Sequence, residues 1–138
     1  MAGEPPFLLI ARIQVKEGMV DQCLDLAETA DKAVEASEPG MLFHNFDSDP
    51  DDPLGFTWTE VYKNSKAFLN HVSNPPVMKY IEKQVELADA ISLEIYGEIS
   101  QEMTETLDTM PFPVKHFKTT RVGFIRRDYF SEHPVGRR

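Results

Sequence analysis

The chain has 138 residues, 41% of them hydrophobic and 27% charged, which suits one domain with a real core and is too short for two. Its formal net charge of −9 argues against a nucleic-acid partner, because a phosphate backbone would meet a repulsive surface. No apolar run is long enough to cross a bilayer, and the opening "MAGEPPFLLIARIQV" lacks a basic start with a small-residue cleavage site, so a cytoplasmic protein with no membrane partner is expected.

The single cysteine, Cys23, cannot form an internal disulfide and fits a reducing compartment. The charge is unevenly spread. Residues 111–138 carry seven Lys/Arg against two Asp/Glu, whereas the first 110 carry seven against 21. A basic tail on an acidic body is expected to dock on that body or on a second copy of the chain.

The elements follow in chain order. "FLLIARIQV" (7–15) alternates as a strand does, with Phe7, Leu9, Ala11, Ile13 and Val15 on one face and Arg12, Gln14 and Lys16 on the other. Gly18 ends it. From Met19 to about Ser37 the period becomes helical, with a stripe of Val20, Cys23, Leu24, Ala27, Ala30 and Val34. "EPG" (38–40) stops that helix, and strands at 41–48 and 54–62 flank the acidic turn "DPDDP". In the second of these, Leu54, Phe56, Trp58, Glu60 and Tyr62 share a face.

Asn64 or Ser65 can cap a short helix, and Pro75-Pro76 opens another with an expected stripe of Val77, Ile81, Val85 and Ala88. "AISLEIYGEIS" (90–100) is a fourth strand, with Ile91, Leu93, Ile95 and Ile99 inward. The order is β-α-β-β-α-β, the split βαβ arrangement of an α+β, ferredoxin-like domain spanning residues 1–100. A C-terminal extension, 101–138, follows: an acidic helix in "QEMTETLDTM", a rigid link "PFPV", and a further basic strand in "KHFKTTRVGFIRR". An unpaired sheet edge invites partners, so this extension is expected to pack on the body or on a partner subunit.

His44, Trp58, Glu60, Tyr62 and His71 are the groups most able to carry chemistry. The first four lie on two neighbouring strands of one hairpin, and His71 lies on the helix leaving it. A histidine can take a proton from a substrate, and an indole or phenol offers a flat face with a polar handle. Two uses are open to His71: a hydrogen-bonded core residue, or a group facing a pocket. Metal coordination is not expected, since His44, His71, His116 and His133 show no ligand spacing. The acidic "DSDPDD" from Asp47 departs from a calcium loop at Asp52, where glycine is needed, and at Trp58, where glutamate belongs. Gly-rich phosphate loops, nucleophile elbows and dinucleotide fingerprints are absent.

Residues 39–88, followed by "LEIYGEI", resemble the antibiotic biosynthesis monooxygenase-like (ABM) family. The matching features are "PG" before the second strand, the run E-x-Y-K-N-S-x-A-F-x-x-H ending at His71, and the proline-led helix after it. The resemblance covers about residues 7–100. It implies two ferredoxin-like subunits joined as a dimeric α/β barrel, each with a ligand cavity between sheet and helices.

Members of that family include cofactor-free oxygenases of phenols and quinols, heme-degrading enzymes and sugar isomerases. The heme branch would need an asparagine where Ala11 stands, a tryptophan where His71 stands and a ligating histidine near Glu82, and all three are missing. The oxygenase branch implies His71 or His44 as base, Glu60 holding a histidine in one tautomer, and Trp58, Tyr62 and Phe56 against the substrate. The expectation is a homodimeric, cofactor-independent monooxygenase acting on a small aromatic or quinol-like molecule. The alternative of another class is a non-catalytic dimeric barrel that binds a small hydrophobic ligand or serves in assembly; an isomerase using the same His and Glu is not separable by sequence.

Overall fold

The computed structural model describes residues 3–126. The elements are β1 (Phe7–Val15), α1 (Val20–Ser37), β2 (Met41–Ser48), β3 (Gly55–Tyr62), α2 (Ser65–Ser73), α3 (Pro75–Leu87), β4 (Ala88–Tyr96), α4 (Gln101–Asp108) and β5 (Val114–Phe117). The strands form one sheet in the order β2-β3-β1-β4-β5, antiparallel except for the parallel β4–β5 pair. This is the α+β, ferredoxin-like arrangement, and the sheet stays open within the single chain. No helix among the described residues is long and apolar enough to cross a membrane.

The inward face of β1 is the alternating set Phe7, Leu9, Ala11, Ile13 and Val15, all buried. They pack with Cys23, Ala27 and Ala30 of α1, Phe68 of α2 and Tyr80 of α3. Each fully buried aliphatic side chain of the core, Val15 of β1 and Ile95 of β4 among them, stabilises the fold by roughly 1.5–3 kcal/mol. Gly18, at φ +84°, gives the chain the left-handed turn between β1 and α1. The acidic loop after β2 is a hairpin turn, in which the Asp51 and Leu54 N–H groups donate to the side chains of Asp49 and Asp52.

Register places like with like on the outer face. Phe43, Val61, Leu8 and Tyr96 stand opposite one another across four strands, and Tyr96 continues to Phe117 on β5. The Tyr96 and Phe117 rings stack at 4.5 Å.

Four expectations are corrected. On α3 the buried positions are Val77, Tyr80 and Gln84, while Val85 is exposed, because the helix turns its Tyr80–Gln84 edge toward Trp58. On α1, Leu24 points out at 42% exposure. β4 ends at Tyr96, where Gly97 at φ +125° breaks the strand, so Ile99 packs from a loop. The basic strand is confined to Val114–Phe117; residues 118–126 have no regular pairing, and Arg127 lies outside the described residues.

Candidate active site

A β-bulge aims the first group of the site. The β2–β3 register shifts between Met41 and Phe43, so alternation is reset and His44 and Phe46 point inward. His44 then stands opposite Glu60, and Phe46 opposite Trp58. On α2 the Asn64 side chain accepts from the Ala67 N–H at 3.0 Å, fixing where the helix starts and setting Phe68 and His71 on its buried side. Glu38 arrives from the C-cap of α1, held there by its own N–H to the Val34 carbonyl at 2.9 Å.

These residues converge. His71 Nδ1 donates to Glu38 Oε1 at 2.8 Å, and Asn74 Nδ2 donates to Glu38 Oε2 at 2.8 Å. Both Glu38 and His71 are buried. Burial opposes the charge on each, but is outweighed: the bonds from His71 and Asn74 hold the Glu38 carboxyl below its ordinary value, and Glu38 and Glu60 raise the His71 imidazole. When His71 is neutral, its single proton sits on Nδ1 toward Glu38, which leaves the Nε2 lone pair as the available base.

His44 repeats the pattern. Its Nδ1 donates to Asp31 Oδ1 at 2.8 Å, and its Nε2 lies 3.7 Å from Glu60 Oε2. Glu60 Oε1 accepts from the Tyr62 hydroxyl at 2.5 Å. Burial, then the adjacent Glu60 charge, push the Tyr62 hydroxyl well above its ordinary value, so it remains a donor. Trp58 stacks on His44 with ring centres 4.2 Å apart and donates from Nε1 to the Tyr80 oxygen at 2.7 Å. Tyr80 in turn donates to Gln84 Oε1 at 3.0 Å, and Cys23 Sγ donates to that same oxygen at 3.4 Å.

A cavity runs between this cluster and the sheet, walled mainly by apolar side chains such as Leu9, Ile13, Val34, Phe68, Ile81 and Leu93. Its free space is about 90 Å³ for the centres of water-sized molecules. A cavity holding one water has roughly 10–15 Å³ of occupied volume, so this larger space admits several waters or a one-ring ligand.

Of the residues singled out from sequence, His44, Trp58, Glu60, Tyr62 and His71 all line this cavity. Phe56 does not; it is buried and stacks on Phe46 at 5.2 Å. The carboxylates that hold the imidazoles are Glu38 and Asp31, while Glu60 sits between the rings and is bonded to Tyr62. His116 donates to the Gly97 carbonyl at 2.7 Å, away from the cavity, and His133 lies outside the described residues.

Sequence reasoning missed Glu38, Asp31, Tyr80 and Gln84. Glu38 carried one signal: an acidic residue at a helix C-terminus opposes the helix dipole and so implies a compensating partner. Ligand atoms of His44, Glu60 and His71 lie within 4.8 Å of one another, so this group could also hold a divalent cation if it drew in by about 1 Å.

Comparison with known proteins agrees with this fold. The model of the antibiotic biosynthesis monooxygenase family matches residues 6–83. A candidate antibiotic biosynthesis monooxygenase from Nitrosomonas europaea is 18% identical, with a TM-score of 0.65 over 73% of this chain and 97% of that one. One from Bacteriodes thetaiotaomicron is 19% identical, with a TM-score of 0.61 over 64% and 85%. A conserved protein of Methanosarcina mazei is 18% identical, with a TM-score of 0.64 over 67% and 92%. These likenesses carry the fold alone. No curated protein matches. The family model spans more than half of the chain, which therefore belongs to the antibiotic biosynthesis monooxygenase family.

Proposed function

We propose that the chain is a cofactor-independent monooxygenase of a small phenol or quinol-like molecule, with His71 as the base. The observation that carries this reading is a buried imidazole, fixed through Nδ1 by Glu38, that lines a one-ring apolar cavity. His71 Nε2 takes the hydroxyl proton and leaves a phenolate, whose ring carbon is electron-rich. That carbon forms a bond to dioxygen, the O–O bond breaks with loss of the ring hydrogen, and the products are a quinone and water. The substrate supplies all four electrons, so one oxygen atom ends in the ring product and the other in water. Trp58 and Tyr80 offer flat surface against the ring.

A homodimer is part of the proposal. The outer row of Phe43, Val61, Leu8, Tyr96 and Phe117 is a band of apolar side chains, three of them at 37–44% exposure, that a second sheet would cover. The body at 1–100 would then carry the site, and the extension at 101–138, with Val122, Phe124 and Ile125 exposed, would reach the body or the second copy. Those exposed side chains also favour the alternative, a non-catalytic assembly or ligand-binding module. Anaerobic mixing with 1,4-hydroquinone, followed by admission of oxygen, separates the two: an enzyme consumes oxygen and forms quinone above the uncatalysed rate, and a binding module does not.

A further inference from the structure

We propose that His44 and Asp31 form the proton exit of the cavity, carrying to solvent the proton that His71 removes from the substrate. The inference rests on the deprotonation role given to His71 above.

Phenolate formation leaves a proton on an enclosed base, and the hydroxide released later needs one to become water, so an exchange path between this base and solvent serves both steps. The Glu38 side offers no path, because its second oxygen is closed by the Asn74 amide, which donates its own hydrogens and cannot relay a foreign proton. The other direction is different. One ring nitrogen of His71, one of His44 and a Glu60 carboxylate oxygen lie within 4.8 Å of one another, a span that one water or a small side-chain rotation closes. His44 then faces a carboxylate at each nitrogen: Glu60 at 3.7 Å, with an 8% exposed side chain, and Asp31 at 2.8 Å, with a 44% exposed one.

His44 is thus the point where inside meets outside. It lines the inner cavity, and it also lines a separate open groove between α1 and β2 together with Glu28, Asp31 and Asp47. The Trp58 ring packed flat against it holds the imidazole in the plane that spans both. The acidic lining of the groove favours a cation emerging there.

The steps balance without any further reactant. The His71 imidazolium gives its Nε2 proton to the Glu60 carboxylate, and Glu60 passes it to His44 Nε2. His44 releases its Nδ1 proton to Asp31, and Asp31 gives it to water. One proton enters the His44 ring and one leaves, so the phenolate is the one new charge in the cavity. The same path reversed returns a proton to the hydroxide set free when the O–O bond breaks, and the turnover gives quinone and water with no net proton.

The test is anaerobic stopped-flow mixing of the full chain with 4-nitrophenol in weak buffer. Absorbance of the bound phenolate reports proton removal, and a pH indicator reports proton arrival in solution. In the native chain the two should rise together. In Asp31→Asn, which alters a half-exposed side chain, phenolate should form at the native rate while proton arrival slows by about tenfold or more, and added imidazole buffer should restore it. In His44→Gln, which removes the ring nitrogens of the path, proton arrival should slow further, and added imidazole buffer should again restore it. Simultaneous arrival in both variants would overturn the relay alone. If the native chain forms no phenolate, the role of His71 falls, and the relay falls with it.

Discussion

Replacing Glu38 by Gln tests the dyad at the centre of the site. The substitution keeps an acceptor for His71 Nδ1 and removes the charge. In the native chain the His71 imidazole is raised above its ordinary 6.5, so its stabilising contribution is complete below pH 6.5 and is lost as pH rises through the folded value. The Glu38 carboxyl is held below its ordinary 4.5, so its contribution is complete above pH 4.5 and is lost as pH falls through the folded value. The pair therefore stabilises most between about pH 4.5 and 6.5.

A buried hydrogen bond between charged groups is worth about 1.5–3 kcal/mol, which for a chain of this size is roughly 5–9 °C in melting temperature. Calorimetric melts of native and Glu38→Gln protein from pH 5 to 9 should show that deficit at pH 5.5 and a smaller one by pH 9. The acid limb of phenolate formation should also move to lower pH in the variant, because burial still lowers the His71 imidazole and Glu38 no longer raises it. A deficit independent of pH, with an unmoved acid limb, would refute the argument.

Other perturbations follow from the same contacts. Trp58 is the single tryptophan and lines the cavity, so phenol titration should quench its fluorescence saturably, and an unchanged signal would mean the cavity stays empty. Trp58→Phe keeps a ring against His44 and removes the donor to Tyr80, which should cost about 1–2 kcal/mol in urea unfolding. A side chain at Gly40 would bring its Cβ to 2.7 Å from Ala67 Cβ, so Gly40→Val should lose about 1–3 kcal/mol where the α1–β2 turn packs on α2. Val61→Glu places a charge in the outer apolar row; light scattering should show the proposed dimer reduced to monomer, with the single-chain fold intact by circular dichroism.

The fold was largely legible because alternation and helical period were strong where they mattered. Phe7–Val15 alternates without a break, and the Pro75 start of α3 is written in its two prolines. The α3 face was misread because Tyr80 and Gln84 are polar enough to look solvent-facing; they are buried because they bond to each other and to Trp58 and Cys23. Most of the site was likewise visible as residue types near one hairpin. Its partners were not, since Glu38 and Asp31 lie on another helix and meet His71 and His44 only through the packing of α1 on the sheet and α3. The inward aim of His44 depends on a bulge, and nothing in "MLFHNFDS" announces where alternation slips.

The most direct test of the central claim is oxygen uptake by metal-free protein with 1,4-hydroquinone and simple phenols, comparing the native chain with His71→Ala. Uptake with quinone formation that falls at least about a hundredfold in the variant is the predicted result. Uptake that His71→Ala leaves unchanged would contradict the role given to this histidine, and no uptake with any of the compounds, despite saturable binding, would make the cavity a binding site alone.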